Sequence, residues 1–234
     1  MEKVVVLQSN YFPWIGYFDL ISSADKFIFY DEVKYTKNDW RNRNKVRSDG
    51  KTHWITIPVC KSSEKKKISE VSLDFNPGWK KSHMSLLEFC YKKKPMFSKQ
   101  LKPLLEHFLF EKETNSLSEL NRYIIKYLSY EMKLDTLFLD SHDFVLESGK
   151  QERLISLLSE FSPCSYLSGP SAKGYLESSE RVLAEKGVDV EYFAYPGYEP
   201  YGGLVYNGES VLDFMAHEKL SFFKDYLRMS AGGK

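Results

Sequence analysis

The first apolar run of the chain has the pattern of a strand buried on both faces. Residues 4–7 are three valines and a leucine with no polar residue among them, as is typical of parallel sheets. A helix is predicted over residues 17–23 and a second strand over residues 26–30. Gln8 and Asp31 directly follow the two predicted strands. Because ligands of open α/β sheets bind beyond the carboxyl ends of the strands, both side chains are predicted to lie at a ligand site.

The alternation of strands and helices returns near the end of the chain. Apolar runs predict strands over residues 137–139, 165–167 and 188–194, with helices over residues 149–161 and 172–186 between them. We therefore predict an α/β fold whose mostly parallel sheet is built from both ends of the chain, with a helical insertion. The predicted parts of this one composite domain are residues 1–76 (the first α/β half with the site loop), 77–133 (the helical insertion) and 134–234 (the second α/β half).

Two loops carry most of the candidate binding residues. Tyr11 and Trp14 follow the first strand; large rings beside polar residues favour a pocket wall, and the alternative is a core beneath the first crossover. A polar segment over residues 32–51, predicted as a loop, is expected to fold over the site. Its candidate binding residues are Tyr35, Trp40, Asn42 and Arg43. The guanidinium fits phosphate or carboxylate, whereas the alternative is a solvated charged loop.

Two further positions are candidates for chemistry. His83 lies four residues after Trp79 on the same face of a predicted helix, where it is either a proton-transfer group or a structural residue. Ser168 and Gly169 precede a predicted helix start, whose backbone N–H groups either bind a phosphate or are simply capped. No carboxylate pair has glycosidase spacing and no cluster of ligand residues indicates a metal, so no metal site is predicted.

Composition narrows the functional classes. A net charge of +1 gives no general attraction to nucleic acid. Aromatic residues make up 15% of the chain, and such an excess lines carbohydrate or nucleoside pockets as readily as it fills a core. The three cysteines show neither metal nor redox spacing. Without a signal peptide or an apolar run of about 18 residues, we expect a cytoplasmic protein with no nucleic-acid partner and no membrane insertion.

Several longer motifs carry a family resemblance. They are Gln8-x-x-Tyr11-Phe12-Pro13-Trp14-x-Gly16-Tyr17-Phe18, Asp31-x-Val33-x-Tyr35, Trp40-x-Asn42-Arg43-Asn44, Trp54-Ile55-Thr56-Ile57-Pro58-Val59, the Trp79 and His83 pair, and Tyr166-Leu167-Ser168-Gly169-Pro170 with Tyr175-Leu176. Through them the sequence resembles the WbqC-like family, whose members are associated with gene clusters for bacterial surface polysaccharides such as the O-antigen of lipopolysaccharide. Residues 195–200 depart from the family, because Tyr-Pro-Gly-Tyr-Glu-Pro stands in place of His-Pro-x-Tyr-x-Gln.

The resemblance implies transfer of an acyl or aminoacyl group to the amine of a nucleotide-linked amino sugar. The implied co-substrate is an acyl or aminoacyl donor, a carrier-protein or coenzyme A thioester, so that an acyl or peptidyl carrier protein is an implied partner. No tightly bound cofactor is expected. Such a reaction needs a proton acceptor, for which His83 and Asp31 are the candidates. It also needs an oxyanion donor, for which Asn42 and a backbone N–H after Gly169 are the candidates.

Two other functions stay open on the sequence. A nucleotidyltransferase-like α/β enzyme also has a loop and helix after its first strand, but its His-x-Gly-His would fall on Trp14-Ile15-Gly16-Tyr17, which lacks both histidines. A non-catalytic module that binds a glycan precursor or an assembly partner would also use aromatic loops. We further predict one cleft that joins Gln8, Tyr11 and Asp31 with the polar segment and that suits a sugar nucleotide.

Overall fold

Strands and helices alternate in a computed structural model of the chain, which describes residues 1–63, 65–202, 206 and 208–232. The strands are β1 (Glu2–Leu7), β2 (Lys26–Phe29), β3 (Arg43–Ser48), β4 (Lys51–Thr56), β5 (Leu137–Asp140), β6 (Cys164–Ser168) and β7 (Val188–Tyr192). The α-helices of this described part are α1 (Ile15–Ser22), α2 (Gly78–Tyr91), α3 (Lys102–Glu106), α4 (Leu117–Glu131), α5 (Lys150–Ser159), α6 (Lys173–Leu176), α7 (Glu180–Glu185), α8 (Val211–His217) and α9 (Phe223–Gly232). None of them has both the length and the apolar composition that a membrane crossing requires.

The chain forms two units. The sheet unit comprises Met1–Gln8, Gly16–Glu32 and Leu134–Tyr195. The ribbon unit comprises Ser9–Ile15, Val33–Lys133 and Pro196–Lys234, apart from the undescribed positions within it. The division into parts at residues 76 and 133 stays a prediction.

The sheet unit contains five parallel strands in the order β5-β2-β1-β6-β7. Val5 of β1 pairs with Phe27 of β2, and Val4 of β1 pairs with Tyr166 of β6. β1 and β2 come from the start of the chain, whereas β5, β6 and β7 follow residue 136. The predicted α/β fold, with a mostly parallel sheet built from both ends of the chain, is therefore confirmed. The unbroken valines of β1 suit its central place, where both faces are covered.

The two faces of the sheet have different partners. On one face, the sheet packs against α5, α6 and α7. The buried residues of this core are Val4, Val6, Ile28, Leu157, Leu158, Cys164, Tyr166, Ala172, Leu176, Leu183 and Val188. On the other face, Phe27 lies with its ring centroid 5.1 Å from Phe29 and 5.7 Å from Phe138. Because side chains alternate along a strand, each position near the strand ends belongs to one face or the other.

In the ribbon unit, β3 and β4 pair antiparallel through six positions. Residues 32–51 were predicted as a loop, and the second half of this segment is instead β3. Asn44 and Val46 are buried, while Arg43 and Lys45 are half-buried. Because an asparagine occupies one of the inward positions, the alternation of apolar and polar residues that marks a strand is missing from the sequence.

Helix α4 of the ribbon unit begins where the sequence predicts a helix, because Ser116-Leu117-Ser118-Glu119 has the spacing of a capping box. Ser116 caps it, with its Oγ accepting a hydrogen bond from the Glu119 N–H at 3.3 Å. The apolar side chains along its buried stripe are Leu117, Leu120, Ile124, Ile125 and Leu128. This stripe has the helical spacing from which the element was predicted.

Other predicted elements differ from the structure. The alternation of apolar and polar residues over 68–75 predicts a half-exposed strand, but this segment contains a 3-10 turn at Ile68–Glu70 and only isolated bridges after it. The helix predicted over residues 172–186 is broken into α6 and α7, and the break contains Ser178 and Ser179. Serine side chains compete for backbone hydrogen bonds and disfavour helix interiors, which accounts for the interruption.

Candidate functional site

The predicted site residues are divided between the two units. Those in the sheet unit are Gln8, Asp31, Ser168 and Gly169, and those in the ribbon unit are Tyr11, Trp14, Tyr35, Trp40, Asn42, Arg43 and His83. The cleft predicted to join the two groups stays a prediction.

In the sheet unit, the predicted residues follow the carboxyl ends of the strands. Gln8 directly follows β1, Ser168 ends β6, and Asp31 comes two residues after β2. β2 lies on one side of β1 and β6 on the other side. The order in which strands are added to the sheet therefore reverses between β1 and β6. Ligands of open α/β sheets bind at such switch points. Gln8, Ser168 and Gly169 therefore belong to the edge where the topology favours a ligand.

The segment after β6 gives little support to a helix-terminus phosphate site. Gly169 leads into a 3-10 turn at Pro170–Ala172, and α6 then has only 4 residues. A macrodipole needs several aligned turns to favour an anion at its start. Any phosphate bound near Gly169 would thus depend on side-chain donors.

One group of potential metal ligands lies after β5. The ligand atoms of Asp140, His142 and Asp143 all lie within 4.8 Å of one another, and the His142 and Asp143 side chains are more than half exposed. His142 Nε2 is 3.0 Å from Asp143 Oδ1. Exposed acidic groups commonly cluster without an ion, so we assign no metal to this turn.

Tyr11 and His83 of the ribbon unit form a buried hydrogen-bonded pair. The Tyr11 hydroxyl is 3.1 Å from His83 Nδ1, and His83 Nε2 is 3.1 Å from the carbonyl oxygen of Thr56. A carbonyl oxygen can only accept, so Nε2 carries the proton and Nδ1 accepts the hydrogen bond from Tyr11. The Trp79 ring packs edge-on against the imidazole at 5.2 Å, as the helical spacing predicted.

Burial fixes the protonation states of this pair. Tyr11 is 0% and His83 only 5% exposed. Desolvation lowers the pKa of His83 from 6.5 to about 4, although the hydrogen bond to Thr56 acts in the opposite direction. Desolvation raises the pKa of Tyr11. At neutral pH the pair is therefore an uncharged phenol that donates to an uncharged imidazole.

The aromatic loop that carries Tyr11 is held in a strained conformation. Phe12 has a φ of 41°, in the left-handed region that side chains disfavour. Asn44 Nδ2 donates to the carbonyl oxygens of Tyr11 at 3.1 Å and Phe12 at 2.8 Å, and Ser210 Oγ donates to that of Phe12 at 2.7 Å. Asn44 and Ser210 were not predicted as site residues. The only sequence signal for Asn44 is its place in the Trp40-x-Asn42-Arg43-Asn44 motif.

Trp40, Trp54 and Arg43 form an exposed group that we call the Trp platform. The two indole centroids are 5.8 Å apart with 30° between the planes, and the Arg43 guanidinium lies 4.4 Å from the Trp54 ring centroid. Trp40 is 42% and Trp54 46% exposed. Arg43 and Trp54 occupy diagonal positions on one face of the β3–β4 ribbon, which accounts for their contact. Trp54 was not among the predicted site residues.

Two other predicted residues are buried. Asn42 is 4% exposed, and its Nδ2 donates to the carbonyl oxygen of Ile57 at 2.9 Å. Tyr35 is 2% exposed, and its backbone N–H bonds to the Lys66 carbonyl oxygen. Asn42 was predicted as an oxyanion donor, and one hydrogen of its amide already bonds the chain that follows β4.

Trp14 is half-buried against the C-terminal part of the ribbon unit. Its ring stacks on Tyr206 at 6.3 Å and meets Tyr198 edge-on at 6.1 Å. We expect Trp14→Ala to weaken ligand binding more than it lowers the melting temperature, because the ring is not fully enclosed. Calorimetry with a sugar nucleotide and thermal unfolding measure the two effects.

Phe214→Ala is the matched control for Trp14→Ala. Phe214 is 0% exposed, and truncation of a core aromatic costs roughly 3–5 kcal/mol. If Trp14→Ala destabilises the protein as much as Phe214→Ala, with binding per folded molecule unchanged, Trp14 is a core residue and not a pocket wall.

Comparisons with known proteins show which family and which relative the chain is similar to. The model of the WbqC-like protein family matches residues 8–221. The chain is 40% identical over 232 residues to the uncharacterized protein Rv1507c of Mycobacterium tuberculosis, covering 97% of this chain and 98% of that protein. No solved structure matches the chain.

Proposed function

Since the chain belongs to the WbqC-like protein family, we propose that it transfers an acyl or aminoacyl group to the amine of a nucleotide-linked amino sugar. Support comes from the association of this family with surface-polysaccharide gene clusters, including those for O-antigen. The structural observation that carries the proposal is the Trp platform, because its chemistry matches a sugar nucleotide.

The Trp platform offers two kinds of contact. Trp40 is 42% and Trp54 46% exposed, and exposed indole surface suits stacking against a nucleobase or a sugar ring. The Arg43 guanidinium beside them suits the diphosphate, since its planar fork binds phosphate oxygens in pairs. An apolar ligand would use the rings but would offer the guanidinium N–H groups no acceptor.

The proposed reaction joins the sugar amine to the carbonyl carbon of a carrier-protein or coenzyme A thioester. A C–N bond forms, the C–S bond breaks, and the amine proton leaves for a base and ends on the released thiolate. His83 is one candidate base because the lone pair of its Nδ1 is the acceptor in the pair with Tyr11. Asp31, two residues after β2, is the other. The amine must displace the Tyr11 hydroxyl to reach Nδ1.

Incubation of the protein with amino-sugar nucleotides and acyl or aminoacyl thioesters, followed by mass detection, tests the proposal directly. The expected result is a sugar nucleotide heavier by one acyl group, with release of free thiol. A protein that binds the nucleotide but never produces this mass gain with any donor is a binding module instead. Binding of ATP with transfer of an adenylyl group would favour the nucleotidyltransferase alternative.

We expect Arg43→Ala to weaken binding of the sugar nucleotide by roughly 1.5–3 kcal/mol, the range for a hydrogen bond to a charged group. Isothermal calorimetry measures this loss, which corresponds to about 10- to 100-fold in Kd. Arg228→Ala is the control, since the Arg228 side chain is 78% exposed in α9 of the same unit. Equal affinities of the parent and Arg43→Ala would remove the Trp platform as the nucleotide site.

A further inference from the structure

A half-buried arginine of the sheet unit faces a group of hydroxyls near the strand ends. Arg153 of α5 donates from Nη1 to the carbonyl oxygen of Glu32 at 3.1 Å. Among the described residues, no carboxylate forms an ion pair with it. A partly desolvated guanidinium that meets only a backbone carbonyl keeps most of its five N–H donors for another acceptor.

Tyr30 lies two residues before Glu32, whose carbonyl oxygen accepts the hydrogen bond from Arg153. It follows β2 and packs on the sheet face that α5, α6 and α7 cover. Burial raises the pKa of Tyr30 to about 12, and the charge of Arg153 opposes this effect. Arg153 bonds the carbonyl oxygen of Glu32, so its guanidinium lies on the segment that carries the phenol. The Tyr30 hydroxyl is buried and has no hydrogen-bond partner among the described residues. A buried hydroxyl without a partner favours a ligand that accepts a hydrogen bond from it.

A chain of hydroxyls continues from Ser168 toward solvent. Ser168 Oγ donates to the Tyr166 hydroxyl at 3.4 Å, and Tyr166 bonds to the hydroxyl of Tyr175. Tyr166 is 2% exposed, whereas Tyr175 of α6 is 46% exposed. Because each hydroxyl donates to the next, the last donor is the O–H of Tyr175, where the chain meets solvent. Lys150 Nζ lies 5.3 Å from the ring centroid of Tyr175 and adds a second positive charge.

Two carboxylates near this edge are engaged or belong to the other face. Glu180 accepts a hydrogen bond from the Tyr192 hydroxyl at 2.5 Å. Asp140 alternates with Leu139 along β5, and Leu139 packs on the same face as Tyr30. Asp140 therefore points to the opposite face of the sheet. On the face with Arg153, this guanidinium and the Lys150 ammonium supply positive charge beside the hydroxyl donors.

We propose that Arg153, Tyr30 and Tyr175 form a binding site for a phosphate ester at the carboxyl end of the parallel sheet, with the Tyr175 hydroxyl oriented by Tyr166 and Ser168. Donors from the end of β2 and from two helices suit a tetrahedral anion better than a planar carboxylate, which has only two oxygens. The site lies at the edge where α/β sheets bind ligands. It does not rest on acyl transfer, since binding is measurable without turnover. Nucleotides and coenzyme A both carry the required group.

Calorimetry with uridine diphosphate and with coenzyme A tests the site and identifies the source of the phosphate. Arg153→Gln should weaken binding of the preferred probe by about tenfold or more, and Tyr175→Phe by about threefold, the ranges for charged and neutral hydrogen bonds. Tyr175→Phe removes one oxygen from an exposed position, so it decides the matter even if Arg153→Gln folds poorly. Arg181→Gln is the control, because its side chain is 90% exposed on α7.

Three outcomes would overturn the site. They are binding of neither probe, binding of acetate as tight as that of the probes, and equal losses in Arg153→Gln and Arg181→Gln. The site is also absent if Arg153→Gln and Tyr175→Phe bind both probes like the parent. If the parent then still acylates amino sugars, the proposed acyl transfer holds without this site. Conversely, binding that depends on Arg153 in a protein without turnover establishes the site and refutes acyl transfer.

Discussion

Between pH 6.5 and about 4, the protein should lose about 3 kcal/mol of its free energy of unfolding through one side chain, His83. Above pH 6.5 the imidazole is neutral in both the folded and the unfolded chain. As the pH falls, the unfolded chain binds a proton at this position, while the folded protein resists it down to about pH 4 because the ring is buried. The folded state therefore loses stability across this window, and the loss levels off below it.

Denaturant unfolding at a series of pH values measures this step. Carboxylates also titrate under acid conditions, so the quantity to follow is the difference between the parent and His83→Gln, which lacks the titrating ring. This difference should shrink as the pH falls from 6.5 to about 4. His142→Gln, on a side chain that is 54% exposed, should keep the step. Parallel pH curves for the parent and His83→Gln would show that His83 is not the group.

The sheet was predictable because its sequence signal is local and apolar. Residues 4–7 form an unbroken apolar run, and such runs occur where both faces of a strand are covered. β1 and β2 end within one residue of the predicted positions. The location of the polar residues at the strand ends was also predictable, because the carboxyl ends of parallel strands lie at one edge of the sheet. Gln8 and Ser168 come at these ends.

The ribbon unit was less predictable because polar side chains replace apolar ones in its interior. Asn42 and Asn44 are buried, yet their amides bond carbonyl oxygens of distant segments. The pattern of hydrophobic and polar positions shows only that asparagine is polar. Residues 43–48, which form β3, were therefore predicted as part of a loop. The hydrogen bonds that make burial favourable join residues more than ten positions apart.

The candidate chemistry was predictable only within single elements. The spacing of Trp79 and His83 on one helix correctly predicted their contact. The partner of His83, Tyr11, is 72 residues away, and no spacing rule connects the two. The same holds for Arg153 and the hydroxyls it faces, which come from separate strands and helices. Such pairings depend on tertiary packing and become visible only in the structure.

Replacing His83 by alanine should lower the kcat of amino-sugar acylation by about 100-fold or more, the range for loss of a general base. His83 presents a lone pair at Nδ1, and its Nε2–H is held by the Thr56 carbonyl oxygen, which fixes the tautomer and the ring orientation. Thiol release measures turnover. Addition of free imidazole should restore part of the rate in His83→Ala if the lost function is proton transfer.

His107→Ala is the matched control for this prediction, because His107 Nε2 also bonds a tyrosine, Tyr123, at 2.6 Å on a helical segment of the same unit. We expect it to keep turnover close to that of the parent. Tyr11→Phe separates two roles of the pair: it frees Nδ1, so a base at this atom should keep its activity. A rate that Tyr11→Phe abolishes and imidazole does not restore would instead make the pair a positioning element for the aromatic loop. Parental turnover in a folded His83→Ala protein would leave Asp31 as the remaining candidate base.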